Sequence, residues 1–343
     1  MGVAFKDLII SHETDLDSLS NKIVVLDAYN TLYQFLTTIR GIDGTPLMDS
    51  KGNVTSHLVG LFTRTASLMQ KGIKPVFVFD GEPPLLKKKT IEQRTVLKIE
   101  AEKKFLEAKE REDAEEMKKY ASRTSRLTKD MVEESKKLVS LMGLPIVQAP
   151  SEGEAQAAYM VKKGDGFTVG SQDFDSLLHG ATKVIRNLSI TGKRKKTGKI
   201  GYETVKPEMI DLSENLNALG IDQNQLIALA MIVGTDYSPG GIKGIGPKTA
   251  LKLVKQYGTD FDKLFKEVKW QDSFDFEWTE VYYLIKKIPI TDSYTLAWKD
   301  AEDEKLFSLL VKEHNFSEER VSSTLGKLKK EAGPKHQRSL ADF

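Results

Sequence analysis

The run KIVVLDAYN, residues 22–30, decides the fold. Its apolar stretch does not alternate with polar residues, so it reads as a strand buried on both faces, the kind found in parallel sheets. Two further runs share its form, KPVFVFDGEPP (residues 74–84) and GFTVGSQDFDSLL (residues 166–178). Helical patterns lie between them, such as SHLVGLFTRTASLMQKG at residues 56–72, which stops at Gly72. Alternating strands and helices imply right-handed crossovers and an α/β fold with a doubly wound, mostly parallel sheet.

Each of these runs ends in acid. Asp27 closes the first and Asp80 the second, while Asp173 and Asp175 follow the third. Ligands of open α/β sheets bind beyond the carboxyl ends of the strands, so separate strands deliver aspartate to one edge. The stretch VQAPSEGEAQAAYMVKKG, residues 147–164, opens a small-residue helix with Glu152 and Glu154. Ser151 and Glu154 fit a capping box, which would explain one carboxylate and leave Glu152 idle. Asp236, in VGTDY, ends the apolar helix LIALAMIVG and completes a set of seven. Taken singly, a strand-end aspartate is a turn former. So many carboxylates at one edge repel one another unless cations hold them. Oxygen ligands without His or Cys select Mg²⁺ or Mn²⁺, and their number suits a pair of ions about 3.5–4 Å apart.

Composition narrows the alternatives. The 343 residues suffice for one large α/β domain or two smaller ones, and charged residues, 29% of the chain, nearly cancel at +2. Nucleic-acid binding must therefore use local basic patches. There is no cysteine, and the five histidines show no ligand spacing, which excludes disulfides and thiolate zinc sites. No run approaches membrane-spanning length, and the start MGVAFKDLII lacks a signal-peptide layout. The expectation is a soluble, cytoplasmic protein with no membrane partner, monomeric by itself.

From residue 87 the chain turns dense in Lys, Arg and Glu: KKKTIEQRTVLKIEAEKKFLEAKEREDAEEMKKYASRTSRLTKD. These are helix formers, read either as a solvated insertion or as exposed charged helices. Lys87 and Arg94, seven residues apart, share one helical face. SITGKRKKTGKIGYETV suits a basic hairpin, with Lys193, Arg194, Lys195, Lys196 and Lys199 as a phosphate patch. QNQLIALAMIVGTDYSPGGIKGIGPKTALKLVKQYG reads as helix, glycine-rich turn, helix. Its Gly244 and Gly246 let backbone amides approach phosphates, and Lys248 adds charge. The expected divisions are an N-terminal α/β region at 1–98, a charged helical insertion at 99–137, an internal α/β region that includes the glycine-rich turn at 138–258, a helical region at 259–330 and a tail at 331–343.

The segments VVLDAYN, VFVFDGEPP, APSEGEAQAAYM, GSQDFDSLL, GTDY and GIKGIGPKTAL stand in the order of the flap endonucleases of the structure-specific 5′-nuclease superfamily, most like the archaeal form. The resemblance spans nearly the whole chain. It implies a 5′ flap endonuclease with some 5′ exonuclease activity, using two Mg²⁺ that Mn²⁺ could replace. Asp27, Asp80, Glu152 and Glu154 would serve one ion and Asp173, Asp175 and Asp236 the other, with capping secondary for Glu154. Lys87 and Arg94 would act at the scissile phosphate under a helical arch. Tyr33 would stack on a base, Thr55 and Arg64 would touch DNA, and the amine of Gly2 would approach the substrate. The glycines of the helix–hairpin–helix turn would add a K⁺ site. The tail QRSLADF would present Gln337, Leu340 and Phe343 to a sliding clamp, ending on one aromatic where family tails commonly carry two. The competing readings are a PIN-like ribonuclease, which shares the acidic edge, and a clamp-tethered, catalytically silent DNA-binding scaffold.

Overall fold

The computed structural model describes residues 3, 5–41, 44–111, 113–121, 124–188, 192–195 and 202–332. In chain order the strands are β1 (His12–Glu13), β2 (Ile23–Asp27), β3 (Lys74–Phe79), β4 (Ile146–Gln148), β5 (Thr168–Gly170), β6 (Lys183–Arg186), β7 (Gly192–Lys195), β8 (Tyr202–Val205) and β9 (Glu208–Asp211). The helices are α1 (Ala28–Thr38), α2 (Ser56–Gln70), α3 (Lys87–Glu110), α4 (Ala114–Ala121), α5 (Lys129–Leu141), α6 (Gly153–Lys163), α7 (Asp175–Leu178) and α8 (Leu212–Leu219). They continue as α9 (Gln223–Val233), α10 (Pro247–Tyr257), α11 (Phe261–Glu267), α12 (Trp270–Ser273), α13 (Trp278–Lys286), α14 (Asp303–Phe307) and α15 (Glu318–Ala332).

One sheet runs in the order β1-β9-β6-β5-β2-β3-β4. The five strands from β6 to β4 are parallel, and β9 and β1 close one edge antiparallel. The non-alternating run of β2 is explained by burial on both faces. Val25 packs with Val76 and Val78 against α6 and α9, whereas Val24 and Leu26 pack with Phe77 and Phe79 against α1, α2 and α5. Successive side chains thus feed two separate cores, as strand geometry requires.

From β2 the chain builds outward through β3 to β4, then returns to lay β5 on the other side of β2. Strand order reverses there, which opens the ligand-binding crevice of a doubly wound sheet beside the carboxyl ends of β2 and β5. Strand β4 is a finding beyond the three runs legible in sequence. Its three residues, Ile146 to Gln148, are too short to stand out as an apolar run.

The charged segment forms α3 and α4, which pack on each other through Ala101, Ala108 and Ala121. Ile91, Val96, Leu97, Ile99 and Leu106 of α3 remain exposed. Helix α3 begins at Lys87. The expected divisions at 98/99, 137/138 and 330/331 fall inside α3, α5 and α15, and α5 is a core helix that buries Val132, Leu138 and Val139. The basic stretch makes the antiparallel β7–β8 hairpin, with Lys193 opposite Thr204 and Arg194 opposite Glu203. No single helix among the described residues is long and apolar enough to cross a membrane.

Candidate active site

Strand and helix ends carry the carboxylates to one edge of the sheet. Asp27 is the last residue of β2 and the N-cap of α1, where its Oδ1 accepts from the Asn30 amide at 3.0 Å. Asp80 follows β3, and its Oδ1 accepts from the Gly153 amide at 2.9 Å. A Cβ on residue 153 would lie 2.5 Å from that oxygen, so only glycine lets the helix end approach so closely. Asp173 lies in the loop after β5 and accepts from Asn30 Nδ2 at 2.7 Å. Asp175 opens α7 and accepts from the Val3 amide at 3.0 Å. Asp236 follows the buried helix α9.

The capping-box expectation for α6 is overturned. Glu152, not Ser151, occupies the N-cap, and it makes no side-chain cap bond. Ser151 Oγ instead donates to the Glu82 carbonyl at 3.0 Å. The first amide of the helix goes to Asp80, so a carboxylate from a neighbouring strand does the capping.

Burial and mutual repulsion raise the pKa of Asp27, Asp80, Glu154 and Asp175. Burial, then Asp27 and Glu152, pushes Asp80 up to about 8. Asp175 rises to about 7 through burial and then Asp173, and Asp27 to about 6 through burial, then Asp173 and Glu152. Glu154 is raised well above the ordinary range by burial and then Asp175. These mutual repulsions, with Asp236 acting on Asp175, join all seven groups into one electrostatic unit. Lys87 ion-pairs with Glu152 and lies 3.4 Å from Asp236, and Arg94 ion-pairs with Asp236. Burial alone would lower the Lys87 pKa, but Glu152, Glu154 and Asp236 outweigh it and raise it.

An all-oxygen donor set that already draws an ammonium and a guanidinium, and in which four carboxyls are raised by burial and repulsion, fits hard divalent cations. Among the described residues no three acidic or histidine side chains close round one point as a ready cage. Repulsion between like charges accounts for that spacing.

Other expected residues fall differently. Tyr33 of α1 lies under Lys98, whose Nζ is 4.8 Å from the ring centre. Arg64 is exposed on α2. Thr55 is buried, and its amide bonds to the Leu47 carbonyl at 2.7 Å. Gly244 has φ +84°, Gly246 caps α10 ahead of Pro247, and open space surrounds both α-carbons. Lys248 and its neighbour Lys243 are exposed. Lys193, Arg194 and Lys195 lie on β7. Gly2, Lys196, Lys199, Gln337, Leu340 and Phe343 lie outside the described residues.

Three neighbours of the site escaped the sequence reading. Asn30 bonds to Asp27 and Asp173, and Thr90 Oγ1 donates to the Asp236 carbonyl at 2.6 Å. The buried Tyr237 hydroxyl has no hydrogen-bond partner among the described residues, and burial followed by Glu152, Glu154 and Asp236 raises its pKa. Proximity was the available signal: Asn30 sits three residues after Asp27, and Tyr237 directly follows Asp236.

Comparison with known proteins matches this geometry to a family. Residues 1–101 match the XPG N-terminal domain and residues 143–236 the XPG I-region. Flap endonuclease 1 of Thermofilum pendens is 54% identical over 332 residues, covering 96% of this chain and 95% of that protein. The solved flap endonuclease-1 from Methanococcus jannaschii superposes with a TM-score of 0.74 at 45% identity, covering 96% of this chain and 98% of its own. The catalytic core of Rad2, solved in complex with DNA substrate, superposes with a TM-score of 0.69 at 27% identity over 96% of this chain and 100% of its own. The XPG-type nuclease fold and full-length identity together place the chain in the flap endonuclease 1 family.

Proposed function

We propose that the chain hydrolyses DNA phosphodiesters at the base of 5′ flaps with the help of two divalent cations, Mg²⁺ or Mn²⁺, and has 5′ exonuclease activity as well. Membership in the family makes it a nuclease of branched DNA. One observation carries the finer reading. Seven carboxylates lie along one acidic edge of the sheet and are linked electrostatically, and the cationic face of α3 is ion-paired to two of them, Glu152 and Asp236.

Asp27, Asp80, Glu152 and Glu154 would hold one cation, and Asp173, Asp175 and Asp236 the other. When bound, such ions supply Lewis-acid polarisation of the phosphate and make the attacking water more acidic. The protein supplies the rest. Lys87 and Arg94 bring positive charge to where phosphate charge develops, and Tyr33 offers a stacking ring at the entrance. The α3–α4 pair would form the arch under which a single strand with a free 5′ end passes. Gly244, Gly246 and Lys248 grip duplex phosphates, with K⁺ as a further ligand of that turn, and Lys193 to Lys196 add a second grip. Gln337, Leu340 and Phe343 would tether the chain to a sliding clamp.

Labelled flap, gapped and single-stranded substrates of DNA and RNA, incubated with Mg²⁺ and then with EDTA, test the reading. Metal-dependent release of the 5′ flap is the expected result. Preferential cleavage of RNA would favour the ribonuclease alternative, and binding without any cleavage the silent scaffold.

A further inference from the structure

We infer that Asn30 is a positioning residue that fixes Asp173 beside Asp27 and so sets the affinity of the acidic edge for divalent cations. The inference rests on the reading of those carboxylates as metal ligands.

Asn30 occupies the third position of α1, where a side chain commonly reaches back to the helix cap. Its backbone amide serves the cap, donating to Asp27 Oδ1 at 3.0 Å, but its side chain turns away from it. The side chain crosses to the loop after β5, bridging 142 residues of sequence to Gln172 and 143 to Asp173. Oδ1 accepts from the Gln172 amide at 3.1 Å, and Nδ2 donates to Asp173 Oδ2 at 2.7 Å. The partners determine the orientation of the amide. Reversed, its NH₂ would face an N–H and its carbonyl a carboxylate.

The placement coincides with the switch point between β2 and β5, where the two carboxylate groups meet. Asp27 belongs to one group and Asp173 to the other, and they repel each other. Lys87 also draws carboxylates together, but it is a cation and competes with a metal for Glu152. Asn30 is neutral and competes with none. A donor of this kind orients its carboxylate before the metal arrives, and loss of such outer partners typically weakens metal affinity about 10–100-fold.

The test is calorimetric titration of Mn²⁺ into the DNA-free protein, wild type against Asn30→Ala, Asp173→Ala and the double variant. Alanine keeps the backbone bond to Asp27 and favours helix, and metal-free melting curves verify that each variant folds. The expected result is about 10–100-fold weaker Mn²⁺ binding in Asn30→Ala. In the Asp173→Ala background, Asn30→Ala is expected to change the residual Mn²⁺ affinity less than about twofold, since the effect runs through Asp173. Wild-type Mn²⁺ affinity in Asn30→Ala would overturn the inference and leave the metal reading standing, as would an equal loss in the Asp173→Ala background. Failure of the wild type itself to bind Mn²⁺ would overturn the metal reading, and the role of Asn30 with it.

Discussion

Lys87 Nζ lies 3.4 Å from Asp236 Oδ2, so the first residue of α3 touches the acid that follows α9. With its ion pair to Glu152, the same ammonium spans both carboxylate groups. Arg94, two turns on, pairs with Asp236, and Thr90 between them bonds its carbonyl. The charged helix is therefore fastened to the acidic edge along one face.

That fastening gives the first prediction. Lys87→Ala and Arg94→Ala should each slow single-turnover cleavage about 10²–10³-fold, the usual cost of removing a charge-stabilising donor. Duplex affinity should change little, because the proposed duplex grip uses Gly244, Gly246, Lys248 and the basic stretch at 193–196 instead. Comparable losses of affinity and rate would return both residues to the role of an ordinary charged helix.

The second prediction concerns that grip. Lys248→Ala combined with alanines at Lys193 to Lys196 should weaken binding to every flap sequence alike. The slope of log K against log salt should become shallower, by about 0.9 for each duplex phosphate no longer neutralised. Filter binding between about 50 and 200 mM salt measures it. A change in sequence preference would contradict a grip on phosphates.

The site was legible in the sequence where chemistry coincided with an element end. Asp27, Asp80, Asp173 and Asp175 end or follow apolar runs, and topology turns such ends into one edge. Two kinds of feature were hidden. The first is register at a cap: Ser151 with Glu154 carries the box spacing, yet the helix starts one residue later because Asp80 supplies the cap from β3. The second is partnership across the chain. Asn30 reads as an unremarkable helix residue until the return of the chain to β5 puts Asp173 beside it. Burial was illegible too, since nothing local distinguishes the buried Thr55 from the exposed Arg64.

The third prediction tests the tail. A protein ending at Pro334 should cut naked flap DNA normally and lose stimulation by a sliding clamp. In GPKHQRSLADF the apolar anchors for a partner's pocket would be Leu340 and Phe343. Each such side chain contributes about 1.5–3 kcal/mol, offset by ordering of the segment, which suits a releasable tether. Calorimetry of clamp against both lengths decides it, and equal affinities would place the tether elsewhere.

The fourth prediction follows from the raised carboxyl groups. Asp80 and Asp175 go from an ordinary 3.8 to about 8 and about 7 in the folded chain. Between those limits the folded state binds more protons than the unfolded one, so stability falls as pH rises. His57 and His179, lowered by burial from 6.5 to about 4, give the opposite slope between those values. Above pH 6.5 only the carboxyl slope remains. Metal-free protein should therefore lose melting temperature from about pH 6.5 to 8. Asp80→Asn should flatten that slope and raise metal-free stability at about pH 8, because a neutral amide of similar shape keeps an acceptor for Gly153 and removes the repulsion. The same change should abolish cleavage while flap binding survives, since the site then loses a carboxylate that metal chemistry needs. Scanning calorimetry in EDTA across this range, beside single-turnover cleavage in Mg²⁺, tests both halves. A melting temperature that is flat or rises above about pH 6.5 would mean that repulsion at the acidic edge is already relieved without metal, by Lys87 and Arg94 alone.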